Sequence, residues 1–436
     1  MTANPLIQEF VDHTPFIDTH EHIIEETRRL VAPNPNDGRY PCDDWAYLFL
    51  HYSASDLTSV GMTGEDFARF YGVERTPAEK WRLFEPYYAR AKNTGYLQAV
   101  RITVRELFGE EDVSAESVER ITEKMRTLVK PGYYRNVLRD VANVDTCQVN
   151  SLEHVFCETQ YPDLLMQDLS FVGLSTGLDL NLAKRANREP VTLSDWHAVI
   201  DWYFETYAAR AVAVKNQSAY ARRLDYAKVS DEDAAPLFER FARRDPLNAA
   251  EMKALQDHLF HYCVSKATDY GLPVKLHTGY YAGANGMPLE RLRQNAGDLC
   301  PVLMAHPRAK FVLMHIGYPY QDEFIALAKQ YTNAYVDLCW AWIISPVASV
   351  RFLKEALLTA PASKLFSFGG DYITVETVVG HARIARRGIA QALTELVDEG
   401  WLSETDALDA ATRIMRGNAL DVFDPEGTLR AWTPQR

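Results

Sequence analysis

The stretch FIDTHEHIIEE, Phe16 to Glu26, decides how the rest of the chain is read. An apolar start runs into Asp18 and then into two histidines one residue apart, His20 and His22. In an extended strand, residues two apart project to the same side, so Asp18, His20 and His22 are expected to share one face. In a parallel barrel that face, at the strand's C-terminal end, opens into the mouth where barrel enzymes build their sites. Two neutral imidazoles at fixed separation are what zinc and similar ions ask of a protein. Histidines also finish strands as hydrogen-bonded structural residues, so the pair alone leaves both readings open.

Further short apolar runs with polar ends recur down the chain. They are VANVDTCQV (141–149), LSFVGL (169–174), AVAVK (211–215), PVKLH (273–277), FVLMH (311–315), AYVDL (334–338) and KLFSFGG (364–370). With FIDTH they make eight units, each followed by a helix-like stretch, which predicts one α/β domain over residues 1–436, a (β/α)8 TIM barrel. Two intervals are too long for simple connections. Residues from about 25 to 135 predict a helical insertion after the first strand, with Thr76, Pro77 and Glu79 as a helix-start signal. Residues 216–265 predict a second charged, helical stretch containing AYARRLDYAKV and AEMKALQDHLFHYCV.

The composition fits an enzyme of small molecules better than a binder of polyanions. With 436 residues, 47% of them hydrophobic, a large core is affordable. Acids outnumber bases by 59 to 46, and a net charge of -13 argues against nucleic acid or an anionic membrane as partner. Neither a secretory leader nor an apolar run of membrane-spanning length is seen, so a cytoplasmic location is expected, with homo-oligomers compatible. The six cysteines form no CxxC pair and read as reduced thiols.

What favours metal binding is repetition. His277 ends the fifth predicted strand, His315 the sixth and Asp371 follows the eighth, each at the C-terminal edge of the predicted barrel. Lys215 closes the fourth. Here the sequence resembles the amidohydrolase superfamily of metal-dependent barrel enzymes, in the order His20-x-His22, His277, His315, Asp371. From His277 to Asn418, stretches such as LHTGYYAG, FVLMHIGYPYQDEF and KLFSFGGDYITVETVVGHARIARRGIAQAL look like the amidohydrolase-type domain fused in fungi and plants to a glutamine-synthetase-like module. The predicted helical insertion is similar to the corresponding region of uronate isomerases, another branch.

The resemblance implies a divalent metal held by His20, His22, His277 and Asp371, with Asp371 also the general base and His315 bonding the water or substrate oxygen. Zinc is favoured over manganese, and one ion over two. In binuclear members a lysine at this place is carbamylated and bridges two ions; in mononuclear ones Lys215 would bind a substrate carboxylate or reach solvent by snorkelling.

Other features carry alternative readings. Gly173-Leu-Ser175-Thr-Gly177 fits a nucleophile elbow but lacks an accompanying oxyanion motif, and is read as the turn after strand three. His258 and His261 are spaced as an i, i+3 pair in a helical run, and packing is favoured over ligation. His51 and Tyr52 resemble a His-Tyr pair that uronate isomerases place near substrate, with a role in the insertion's own small core as the alternative. Trp340 and Trp342 are candidate pocket walls, and Arg222 and Arg223 candidate grips for an anionic substrate, against a solvated helix face. The favoured function is metal-assisted hydrolysis of a small amide or lactone bearing a carboxylate. Alternatives on the same scaffold are uronate isomerisation and non-oxidative decarboxylation of an aromatic acid. A non-catalytic binding barrel is the remaining alternative.

Overall fold

The structure is a computed structural model that describes residues 3–34 and 36–428. Eight strands make a single parallel sheet in sequence order: β1 Phe16–Glu21, β2 Val144–Val149, β3 Leu165–Ser170, β4 Ala211–Asn216, β5 Val274–Leu276, β6 Phe311–Leu313, β7 Ala334–Asp337 and β8 Leu365–Phe366. The seam between first and last strands is closed by the segment after β8: Thr19 N donates to Phe368 O at 3.0 Å, Asp371 N to His20 O at 2.8 Å and His22 N to Tyr372 O at 2.8 Å. The fold is therefore the expected (β/α)8 barrel.

β2 and β5 to β8 are shorter than their apolar runs suggest. β3 lies earlier than expected, and Phe171 O, accepting from the main-chain N–H of Leu174 and Ser175, turns the chain just past it. β5 and β6 end before His277 and His315, and Asp371 stands beyond β8. The histidines and the aspartate thus occupy turns just past the strands, where a left-handed φ of 63° at His315 and 60° at Asp371 re-aims the side chains.

Between β1 and β2 the chain is helical, as expected. Its longest helix, Pro77–Ala91, starts with Thr76 and Glu79 in a reciprocal capping box and proline in the first turn. A buried ion pair, Arg29 to Glu376 at 2.8 Å, ties this region to the helix Thr377–Asp398 that follows β8. The second interval is helical only in part. Residues 221–230, including Arg222 and Arg223, are irregular: Asp257 on the helix Ala249–Asp269 accepts from Ala227 N at 3.1 Å and Tyr226 stacks on Phe260 at 3.6 Å, pinning the segment without a helical ladder.

Inside the barrel, layers set the floor of the site. Ile17, Met166, Val212, Val312 and Phe366 form an apolar layer near the strands' N-terminal ends, covered by Val422 and Phe423 of the terminal helix Asn418–Phe423. Near it, Lys275 Nζ binds both oxygens of Asp168 at 2.9 Å and donates to Thr19 O at 2.8 Å; both charged side chains are wholly buried. No helix among the described residues is long and apolar enough to cross a membrane. All six cysteines are free.

Candidate metal centre

The turn after β8 reaches β1 because Gly369 and Gly370 carry no side chain. A Cβ on Gly370 would run into the Glu21 carboxylate, and one on Gly369 into Thr19 and Cys339. That approach brings Asp371 Oδ1 to 3.2 Å from His20 Nε2 and equally 3.2 Å from His22 Nε2. His22 is oriented from behind: its Nδ1–H donates to Asn150 O at 2.7 Å, which turns Nε2 toward Asp371. Asp18 stays out of this group. β1 shifts register between Asp18 and Glu21, and Asp18 instead accepts from His20 N at 2.9 Å and Gly370 N at 3.3 Å, bracing the seam.

A second set of ligand atoms adjoins the first: His315, Cys339 and Asp371 could also share an ion, as could His20, His22 and Asp371. His277 faces His315, with Nδ1 and Nε2 3.0 Å apart. The far nitrogens, His277 Nε2 and His315 Nδ1, lie 2.9 Å and 3.0 Å from the carbonyls of Tyr280 and Cys339. Burial drives both imidazoles neutral, His315 down to about 3 and His277 well below its usual value. A neutral imidazole has one N–H, and here each is spent on a carbonyl, so two bare nitrogens confront each other. A cation removes that repulsion, so this donor set fits a metal ion.

Lys215 corrects one expectation outright. It is 1% exposed and does not snorkel to solvent; Nζ lies 2.9 Å from His20 Nε2. Burial pulls its pKa down, with the Asp371 charge opposing. For Asp371 itself burial works toward neutrality, but His20 and His22 outweigh it and hold the carboxyl well below the usual range.

The helices between β1 and β2 supply one wall. Tyr52 stacks on Trp340 at 4.5 Å and its hydroxyl stands beside Asp371, while Trp340 meets His315 edge-on at 5.2 Å. His51, at φ 66°, packs tilted against Tyr52 with ring centroids 4.0 Å apart and has a buried Nδ1 without a partner among the described residues. Trp342 and the arginines are elsewhere. Trp342 Nε1 donates to Ser367 O at 2.7 Å, Arg222 pairs with Asp257, and Arg223 pairs with Asp298. Ser175, the would-be nucleophile, is buried and donates to Phe171 O at 2.9 Å. Asp168, Lys275, Asn150 and Cys339 were not anticipated; Lys275 was visible as a charge inside PVKLH, and Asp168 stands immediately before LSFVGL.

A barrel with this cluster at its mouth belongs to the amidohydrolase class on comparison as well. The amidohydrolase family profile matches residues 187–424, more than half of the chain, and the chain belongs to that family. It is 29% identical over 224 residues to protein fluG of Emericella nidulans, an overlap covering 49% of this chain and 25% of that protein. The match thus spans about a quarter of fluG's length. It is 20% identical over 442 residues to the uronate isomerase of Xanthomonas campestris pv. campestris, covering 91% of this chain and 90% of that one. The crystal structure of uronate isomerase from Thermotoga maritima superposes with a TM-score of 0.76 at 15% identity, covering 96% of each chain, which shows a shared fold.

Proposed function

We propose that the chain is a metal-dependent hydrolase of a small polar amide or lactone bearing a carboxylate. The observation that carries the reading is the convergence of an anionic Asp371 on His20 and His22 in a buried space. His20, His22 and Asp371 would hold one divalent ion, zinc before manganese, with His277 as the fourth ligand. Such an ion supplies Lewis acidity, lowering the pKa of water from about 15.7 to about 7.

The chain's own groups account for the proton traffic. Asp371 Oδ1 is turned to the two imidazoles, so Oδ2 is left to take a proton from the attacking water and return it to the leaving group. His315, 3.8 Å from Oδ2, is placed to bond the substrate oxygen. Tyr52 and Trp340 wall the site, and the Lys215 amine, beside His20, is placed to meet a substrate carboxylate.

Uronate isomerisation is the second reading, favoured by similarity to uronate isomerases along nearly the whole chain and by the place of His51 and Tyr52. There Asp371 would carry a proton between neighbouring carbons. Against it, the turn Thr278–Gly283 after His277 holds no basic residue to bind the uronate carboxylate. Incubation of metal-loaded protein with lactones, N-acyl amino acids, uronates and aromatic acids in ¹⁸O-water separates the chemistries. Hydrolysis puts one solvent oxygen into the product carboxylate. A ketose formed from a uronate, or carbon dioxide released from an aromatic acid, would replace this reading.

A further inference from the structure

Four of the twelve histidines, none of them at the barrel mouth, form two facing pairs. His197, on the helix Leu193–Tyr207, meets His258 of the helix Ala249–Asp269, with the two Nε2 atoms 2.9 Å apart. One turn further along that helix, His261 Nδ1 meets His306 Nε2 at 2.7 Å. His258, His261 and His306 line a groove of about 790 Å³ together with Asp231, Asp233 and Lys228.

The first pair is built as ion ligands are. His258 donates Nδ1–H to Val229 O at 3.0 Å, which fixes its tautomer and aims the Nε2 lone pair at His197. The His197 ring lies flat on Tyr262, centroids 3.8 Å apart and planes within 3°, and Tyr262 is itself anchored by its hydroxyl on Asp201 at 2.9 Å. Shifting the His197 proton from Nε2 to Nδ1 turns the contact into two converging lone pairs without any proton leaving the protein. Two imidazole nitrogens about 2.1 Å from a tetrahedral ion stand about 3.4 Å apart, so the pair need open by only about 0.5 Å. Burial and the neighbouring His258 lower the His197 pKa to about 4, so the ring is in its ligating form at neutral pH.

The charges around the two pairs differ. Asp231 and Asp201 outnumber Lys266 around His197, whereas Lys228 acts on both rings of the second pair, against Asp257 on His261 alone. We propose that the His197–His258 pair is a second metal site, taking one imidazole-favouring divalent ion such as Zn²⁺, Ni²⁺ or Cu²⁺, with water from the groove completing its coordination. The ion would cross-link the helices that follow β3 and β4. The His261–His306 pair, where Lys228 acts on both rings and no carboxylate acts on His306, is assigned none.

The test is metal content per chain after equilibrium dialysis of the full-length protein against micromolar Zn²⁺, for wild type, His197→Gln, His258→Gln and His306→Gln. Wild type and His306→Gln should carry one ion more than His197→Gln and His258→Gln. With Cu²⁺ as the probe, the nitrogen splitting of one paramagnetic signal should vanish in the same two variants. Equal metal content in wild type and a folded His197→Gln overturns the proposal. Should His258→Gln fail to fold, His197→Gln alone decides, because that ring is only partly buried.

Discussion

Lys215 Nζ lies 2.9 Å from His20 Nε2, so the amine occupies the nitrogen that Asp371 also approaches and that a metal ion would need. An ion can enter only if Lys215 swings away or loses its charge, and burial already favours the neutral amine. Lys215→Met should therefore bind one divalent ion at least as tightly as wild type, while turnover falls roughly 10–100-fold through lost positioning. Metal titration and steady-state kinetics check both. Intact mass under mild conditions should show an unmodified lysine; a chain heavier by one carbon dioxide, with two ions bound, would mean a bridging carbamate.

Asp371→Asn keeps the main-chain bond from residue 371 to His20 O, so the seam and the fold should persist. The amide cannot take a proton at Oδ2. Turnover should drop by about 10²–10⁴-fold with whichever substrate the screen identifies. A variant that retains a third of wild-type turnover would remove Asp371 from the proton path.

Glu376 is wholly buried and takes bonds from Arg29 Nη2 at 2.8 Å, Arg29 Nε at 3.1 Å and Tyr133 Oη at 3.2 Å. Glu376→Gln leaves the guanidinium buried without its counter-charge. Breaking such a pair costs about 3–5 kcal/mol. Urea unfolding should show a loss of that size, since Arg29 stands in the helical segment before β2 and Glu376 just after β8. A loss under about 1 kcal/mol would mean that water reaches the arginine.

His381, on the helix after β8, has its Nδ1 3.2 Å from Gly370 O, and its Nε2 has no partner among the described residues. Burial lowers its pKa from 6.5 to about 3. Above pH 6.5 the folded and unfolded chains are both neutral at this ring; between 6.5 and about 3 only the unfolded chain takes up the proton. Stability therefore falls as pH falls through that window, by up to about 1.4 kcal/mol per pH unit. Melts between about pH 7 and about pH 4 should fall more steeply for wild type than for His381→Gln. Parallel curves would contradict the assignment.

Much of the fold was legible because burial on both faces forces parallel strands into apolar runs with polar C-terminal ends, and FIDTH, AVAVK and PVKLH show that pattern plainly. Strand ends were less legible. His315 and Asp371 depend on left-handed turns, which neither residue type announces. Lys215 was misjudged because a lysine at a strand end usually finds water, and only the barrel's closure encloses this one. Arg222 and Arg223 read as helical from composition, but side-chain pairing with Asp257 and Asp298 decided that segment.

The proposed function requires a metal ion at the barrel mouth, and metal content per chain tests for it. Because His197 and His258 are proposed to take a separate ion, the measurement belongs in a His197→Gln background, with and without His22→Ala. About one divalent ion per chain, lost on His22→Ala with the fold intact, is the predicted result. A chain that binds no ion on reconstitution, or binds as much without His22 as with it, would contradict the central claim.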